Sequence, residues 1–217
     1  TYGVSEFFKK NKYCGLLLEK EISNLNSVFK NPSRPFTAVI GGAKISSKID
    51  VLMSLLNSVD KLIIGGGMAY TFIVAKKGDV GKSLVEDNKI KAALEIIKEA
   101  KEKNVKLILP IDSVNSTSFN DQSASSISEI SEIPTNEMGL DIGPKSIYLF
   151  NEEILSSKTI LWNGPMGVFE FDNFSKGTLS VGKSICESTE RGAYSLVGGG
   201  DSIAAIKKFN LTEGVSY

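Results

Sequence analysis

A chain of 217 residues, 41% hydrophobic and 23% charged, has enough apolar material for one large domain or two small ones. Its 25 basic and 25 acidic residues cancel, which argues against a general nucleic-acid or membrane-surface binder and leaves room only for a local basic cradle. Histidine is absent, so the chain supplies neither an imidazole base nor a His-ligated metal site. Arginine stands only at Arg34 and Arg191. Phosphoryl transfer generally places a guanidinium on the moving group, so an enzyme of that kind would have to find its arginine elsewhere. Cys14 and Cys186 are far apart, form no ligand pattern and read as reduced thiols. No apolar run approaches the ~20 residues of a membrane span, and no signal peptide is visible.

The chain opens at Thr1 and closes on Val215-Ser216-Tyr217 with no capping motif or closing strand, and reads as a piece cut from something longer. Residues 2–10 and 15–29 carry apolar side chains at helical spacing, Leu16, Leu17, Ile22, Leu25 and Phe29 among them, until Asn31, Pro32 and Pro35 break the pattern. Two parts are therefore expected, a helical segment over 1–30 and an α/β lobe over 31–217. Within the lobe, apolar strand candidates at 36–40, 61–64, 105–109, 159–162 and 194–197 alternate with helical stretches at 46–58, 68–76, 88–103, 145–156, 173–189 and 202–209. That alternation predicts a doubly wound, mostly parallel six-stranded sheet with helices on both faces, a Rossmann-like three-layer arrangement. Between Asp112 and Asn136 the composition turns to Ser, Asn and acidic residues, which suits either a flexible insertion or a small antiparallel excursion; the alternating Ser and Ile favour the excursion.

Phe36–Ile40 runs straight into Gly41-Gly42 and then Lys44 and Lys48. On a helix beginning here the two lysines would share a face one turn apart, where like charges repel by a few tenths of a kcal/mol unless an anion lies between them; the other reading is two solvated lysines on a surface helix. Phosphate is the leading anion because a helix start adds free N–H groups and a positive dipole end. Four strand ends carry turn residues: Gly41-Gly42, Gly65-Gly66-Gly67, Asn163-Gly164-Pro165 and Gly198-Gly199-Gly200. In a parallel sheet these share one edge, where doubly wound folds bind ligands and bare backbone can approach one closely. Asp201 and Ser202 at the last helix start would either cap it or, in the functional reading, hold Mg²⁺ beside a phosphate. Glu170, between two phenylalanines in a Gly-rich loop, either caps a turn or accepts ribose hydroxyls. Gly177 to Ser184 matches the P-loop pattern letter for letter, but no buried strand precedes it and its apolar spacing predicts a half-buried helix instead.

The segments VIGGAKISSKI, LIIGGGMAYTF, MGLDIGP, LWNGPMGVFEF and LVGGGDSIAAI, in that order, resemble the signature segments of the phosphoglycerate kinase family, and TYGVSEFF with GLLLEKEI resembles that family's interlobe region. The resemblance covers nearly the whole chain. It implies the nucleotide-binding lobe of a two-lobe enzyme that passes a phosphoryl group between 1,3-bisphosphoglycerate and ADP, giving 3-phosphoglycerate and ATP in glycolysis. It implies Lys48 on the nucleotide phosphates and Lys44 on the transferring group, with Lys44 and Gly200 catalytic. Gly42, Ala43, Gly65, Gly66, Gly67, Gly139 and Leu140 match adenine-pocket positions, and Phe119 an aromatic near the nucleotide. Asn163, Gly164, Pro165, Met166, Val168 and Phe169 match the loop under the nucleoside, Glu170 the ribose carboxylate, and Gly199 and Gly200 the backbone beside the phosphates. Asp201 matches the Mg²⁺ ligand, with Ser202 where the family usually has Thr.

The same resemblance implies Mg²⁺ with ADP or ATP as cofactor, a cytoplasmic monomer, and no nucleic-acid or membrane partner. The phosphoglycerate would be met only through an N-terminal lobe, which is missing here together with the family's Thr-Gly-Gly-Gly tail, and Tyr217 falls where many members have His. A lone lobe is therefore expected to bind nucleotide without turnover. Two readings from other classes compete. A Rossmann-type nicotinamide-dependent oxidoreductase lacks its G-x-G-x-x-G and the acidic residue ending the second strand, and an interaction module would use its glycines only as tight turns.

Overall fold

The computed structural model describes residues 15, 16, 19 and 29–217. The chain divides into two compact units, Thr1–Pro32 and Ser33–Tyr217. The helical stretches expected at 2–10 and 15–29 lie almost wholly outside the described residues. In chain order the second unit contains β1 (Phe36–Ile40), α1 (Ile49–Leu55), β2 (Lys61–Ile64), α2 (Met68–Ala75), α3 (Ile90–Glu102), β3 (Lys106–Ile108), β4 (Asp112–Ser116), β5 (Ser125–Glu129), β6 (Met138–Ile142), α4 (Pro144–Leu155), β7 (Thr159–Asn163), α5 (Lys176–Glu190), β8 (Tyr194–Gly198) and α6 (Gly200–Lys208).

The expected alternation builds a five-stranded parallel sheet in the order β3-β2-β1-β7-β8. Six strands were expected. The sixth place, beside β8, is taken by the backbone of Tyr217, whose N–H donates to Ser195 O (3.1 Å) and whose carbonyl accepts from Val197 N–H (2.7 Å). This is the parallel hydrogen-bond pattern, so residues read as lacking a closing strand do extend the sheet. The Ser-rich stretch is the small antiparallel excursion: β5-β4-β6 form a separate three-stranded sheet.

From β1 the chain winds outward through β2 to β3, whereas β7 and β8 lie on β1's other side. Right-handed crossovers running in opposite directions put their helices on opposite faces. On one face Val39, Ile63, Ile160, Trp162 and Val197 pack with Phe150 and Ile154 of α4, Val181 and Ile185 of α5, and Ala205 and Ile206 of α6. The alternate strand residues Ala38, Ile40, Leu62, Ile64 and Leu196 are equally buried and face the layer of α1 to α3. Burial of both faces is why the strands read as unbroken apolar runs.

The P-loop look-alike is the interior of α5, as its spacing predicted. Its glycines are packing residues: a Cβ on Gly177 would meet Ile142 and the Asp141 carboxylate, and one on Gly182 would lie 2.7 Å from Leu211.

At the far end of the sheet, Glu153 of α4 bridges Lys61 (2.8 Å) and Lys106. Burial alone would raise its carboxyl pKa, but the hydrogen bonds and charges of Lys106 and Lys61 hold it below the usual value. Glu153 and Lys61 are only 12% and 14% exposed, so removing one partner strands the other. Glu153→Ala is expected to destabilise the chain by about 2–3 kcal/mol, with Glu153→Gln intermediate, in urea unfolding at pH 7. Equal midpoints for the three proteins would show the bridge to be energetically idle.

Candidate functional site

The strand order reverses between β1 and β7, and a crevice outside the C-terminal ends of such strands is where open α/β sheets bind ligands. The turns that close these strands interlock. Gly41 N–H donates to Asn163 O (2.9 Å), Gly42 N–H to Pro165 O (3.1 Å), Gly66 N–H to Met166 O (3.1 Å) and Met68 N–H to Gly42 O (3.0 Å). The 163–168 turn is itself pinned from three elements. Ser202 Oγ accepts Gly164 N–H (2.6 Å), Thr178 Oγ1 accepts Met166 N–H (3.0 Å), and Leu140 O accepts Val168 N–H (2.8 Å). Trp162 Nε1–H donates to Gly164 O (2.8 Å) from beneath.

The glycines expected as bare backbone for a ligand therefore divide in two. At Gly41 an added Cβ would collide with Pro165 O and lie 2.6 Å from Gly164 O, and at Gly66, where φ is +69°, it would lie 2.6 Å from Gly42 N. These glycines exist so that turn can pack on turn. At Gly42 and Gly200 a Cβ would meet nothing within 4 Å. Among the glycines of these four turns, the missing side chain leaves fully open space at those two.

Two adjoining cavities result, sharing Gly42, Ala43 and Asp201. The first, about 380 Å³, is lined by apolar side chains, Leu84, Phe119, Met138, Leu140, Met166 and Val168, with Gly66, Gly67, Gly139, Pro165 and Glu170 around them. The second, about 370 Å³, is polar: Lys44, Lys48, Asn163, Gly164, Gly199, Gly200, Asp201 and Ser202 surround it. Lys44, Lys48 and Asp201 thus face one space, although not through the helical spacing expected. Lys44 is extended (φ −127°, ψ 130°) ahead of a single 3₁₀ turn, Ile45–Ser47, and Lys48 precedes α1, so neither lies on a helix. Ser47 Oγ donates to Lys44 O (2.9 Å) and steadies the turn that separates them.

Lys48 Nζ donates to Asn163 Oδ1. Partial burial pushes its ammonium pKa down, and the Asp201 carboxylate opposes that. Lys44 is exposed and its field reaches Glu86; burial would raise that carboxyl, but hydrogen bonds from Ser46 and the charge of Lys44 keep it low. Asp201 does not cap α6: the cap residue is Gly199 (φ 92°), and no side chain caps the helix. The unpaired N–H groups of its first turn and the positive dipole end stand beside the two lysines. No group of three His, Cys, Asp or Glu side chains suited to a metal exists among the described residues. A lone carboxylate suits Mg²⁺ held mainly by ligand phosphates and water, not a metal caged by protein.

Of the residues singled out in the sequence, Gly65 and Phe169 line neither cavity. A Cβ on Gly65 would meet Met166, and Phe169 is buried in the core, 6% exposed. Neither of the two arginines lines the cavities; Arg34 pairs with Asp60 and Arg191 with Glu187. The walls also contain residues not singled out: Tyr70, Lys82, Leu84, Met138 and Gly167. Tyr70, Met138 and Gly167 sit inside the family-like segments, whereas Lys82 and Leu84 lie in a loop with no pattern. An apolar chamber opening onto a cationic one fits an elongated ligand with a flat, uncharged end and a polyanionic tail.

The family model described as "Phosphoglycerate kinase" matches residues 1–217. The phosphoglycerate kinases of Porphyromonas gingivalis and Clostridium tetani are 50% and 47% identical over 215 and 217 residues, 99% and 100% of this chain but 51% and 53% of theirs. The solved phosphoglycerate kinase from Coxiella burnetii superposes with a TM-score of 0.90 at 42% identity, covering 94% of this chain and 52% of that one. The enzyme from Pyrococcus horikoshii superposes at 0.75 with 29% identity over 90% and 49%. The chain spans about half the length of the relatives it matches.

Proposed function

The chain belongs to the phosphoglycerate kinase family, and on that premise we propose that its two chambers bind the magnesium complex of ADP or ATP for reversible phosphoryl transfer with 1,3-bisphosphoglycerate. The observation that carries this reading is the convergence of Lys44, Lys48 and Asp201 on one polar chamber beside an apolar one. The base lies between Leu140, Met166 and Val168, with Phe119 at the rim; the ribose reaches Glu170. The phosphates extend toward Lys48, the uncapped start of α6 and the open backbone at Gly42 and Gly200. Asp201 would hold Mg²⁺ together with the ligand's phosphates, and the ion would supply charge neutralisation of the tail. Lys44 and the Gly200 N–H are left for the transferring group, whose chemistry depends on positioned positive charge more than on an acid or base.

The acyl-phosphate side is assigned to the half of the relatives that this chain does not match. With both arginines engaged away from the chambers, the chain alone is expected to bind nucleotide without turning it over. Work as a cytoplasmic monomer belongs to the same proposal. No described helix is long and apolar enough to cross a membrane. The nicotinamide oxidoreductase alternative finds no support, since the family model and the relatives are kinases along the whole chain. Calorimetry with MgADP tests the site. Wild type should give saturable heat, and Lys48→Ala and Asp201→Ala should each weaken binding by roughly 10–100-fold, as loss of a charged hydrogen-bond partner does. Equal heats from all three would remove the assignment.

A further inference from the structure

Helix α6 touches the site at both ends. Its first turn faces the polar chamber. At its other end, roughly 13 Å away for nine residues, Lys208 reaches back to the loop that follows the apolar chamber's wall. Its Nζ donates to Phe169 O (3.0 Å), Glu170 O (3.2 Å) and Asp172 Oδ1 (2.8 Å). An ammonium has three protons, and here one loop supplies three acceptors. Two are main-chain carbonyls, one belonging to Glu170 itself and the other to the residue before it. A solvated lysine on a helix surface makes no such set, and the side chain is 33% exposed. Bonds from a charged donor are about twice as strong as neutral ones, and Lys208 also sits at the negative end of the α6 dipole.

The same loop has a second anchor from the segment after β4. Asn173 N–H donates to Asp121 Oδ1 (3.0 Å), and the rings of Phe119 and Phe171 meet at 5.0 Å and 57°. The loop is thus held from two sides, by α6 and by the 119–121 segment, and within it Val168 and the exposed Glu170 side chain line the apolar chamber.

We infer that Lys208 is a positioning residue that fixes the backbone at Glu170, so that its carboxylate meets the ribose hydroxyls while the other end of the same helix meets the phosphates. The inference rests on the reading of Glu170 as the ribose contact and deepens it: α6 becomes a strut that sets the spacing between the sugar and phosphate subsites. Because the 119–121 anchor remains, loss of Lys208 loosens the loop without unfolding the lobe.

The test uses wild type, Lys208→Met, Lys208→Arg and Glu170→Gln, each titrated with MgADP and with its 2′,3′-dideoxy analogue, which keeps the base and phosphates but offers no hydroxyl. Wild type should prefer ADP by ~10-fold, the worth of one charged hydrogen bond. Lys208→Met should lose that preference and bind both ligands as wild type binds the analogue; Lys208→Arg should keep most of it, and Glu170→Gln should lose it. A merely structural lysine would weaken both ligands equally, and that result, or an unchanged preference in Lys208→Met, overturns the proposal. Amide hydrogen exchange without ligand reads the clamp separately. Lys208→Met should speed exchange across 168–172 and Lys208→Arg should not; unchanged protection in Lys208→Met also overturns it. Wild type that binds ADP and the analogue alike refutes the ribose role of Glu170, and with it this proposal. Wild type that binds neither refutes the nucleotide site as a whole.

Discussion

Gly41→Ala is expected to lower the free energy of unfolding by about 3 kcal/mol or more and to abolish the rise in melting temperature on adding MgADP, while Gly200→Ala removes only the second. At Gly41 the added methyl collides with Pro165 O and closes on Gly164 O, both main-chain atoms that no rotamer change can move. Overpacking against side chains costs about 1–3 kcal/mol; against backbone in a pinned turn the cost lies at or above that range. The displaced turn carries Asn163 and Gly164 away from Lys48, so binding fails with the fold. At Gly200 nothing lies within 4 Å and φ is not positive. Alanine in a helix is better than glycine by up to ~1 kcal/mol, so stability should hold or rise, but the methyl stands in the space assigned to a phosphate. A nucleotide at 100 times its dissociation constant raises stability by about 2.7 kcal/mol, and a thermal melt with and without ligand resolves that. A Gly200→Ala protein with an undiminished shift would mean the ligand does not approach this backbone.

The second large effect belongs to Asp141, which the proposed chemistry does not use. The residue is 2% exposed. Oδ2 accepts Gly177 N–H (2.8 Å) and Oδ1 accepts Ile142 N–H (2.9 Å). Burial pushes its pKa up to about 7, and the two N–H groups and the charge of Lys176 offset this only in part. The folded state therefore holds this proton more tightly than the unfolded chain, whose Asp titrates near 3.9. Between those two values the native state binds more protons than the unfolded state, so stability falls as pH rises from about 4 to about 7 and levels off above. The contribution is on the order of 2–4 kcal/mol across that window. Denaturant unfolding of wild type and Asp141→Asn at pH 5, 6, 7 and 8 isolates it: the difference should shift in favour of the variant as pH rises. Parallel curves would show that Asp141 is already ionised at little cost. Glu153 bends the other way, since its lowered pKa lends stability above the unfolded value and loses it only in more acidic solution.

Strand runs, helix periodicity and turn residues were readable because each is a local pattern, and the sheet with its crevice at the β1 and β7 ends follows from them. What escaped is set by contacts between distant segments. Nothing in the letters of MGLDIGP says that its aspartate lies inside; Gly167, in the turn after β7, and Gly177, in α5, make room for that carboxylate. The glycine clusters were found, but not that Gly41 and Gly66 serve turn packing while Gly42 and Gly200 border open space. Lys44 and Lys48 were placed on a helix because their spacing suits one. The backbone instead stays extended through Lys44, with Gly42 at φ 118° ahead of it, and delays the helix to Ile49. Lys208 gave no signal at all, since a lysine at the end of an amphipathic helix is ordinary until its three acceptors are seen.

The central position of β1 has a consequence for how the chain is made. Its partner β2 arrives after a single crossover, but the strand on its other side is β7. Thr37 and Ser157, whose hydroxyls meet at 2.6 Å where these strands begin, are 120 residues apart. Joining segments so distant costs loop entropy before any contact returns it, and topologies ruled by such pairings form slowly. On the ribosome, β1 to β3 can assemble while the other edge of β1 stays unpaired from Ile108 until β7 emerges at Thr159, a state that exposes an edge to wrong pairing. The turn at Gly41 and Gly42 has no floor until Asn163 to Met166 emerge, so the crevice at these strand ends takes shape only after β7 does.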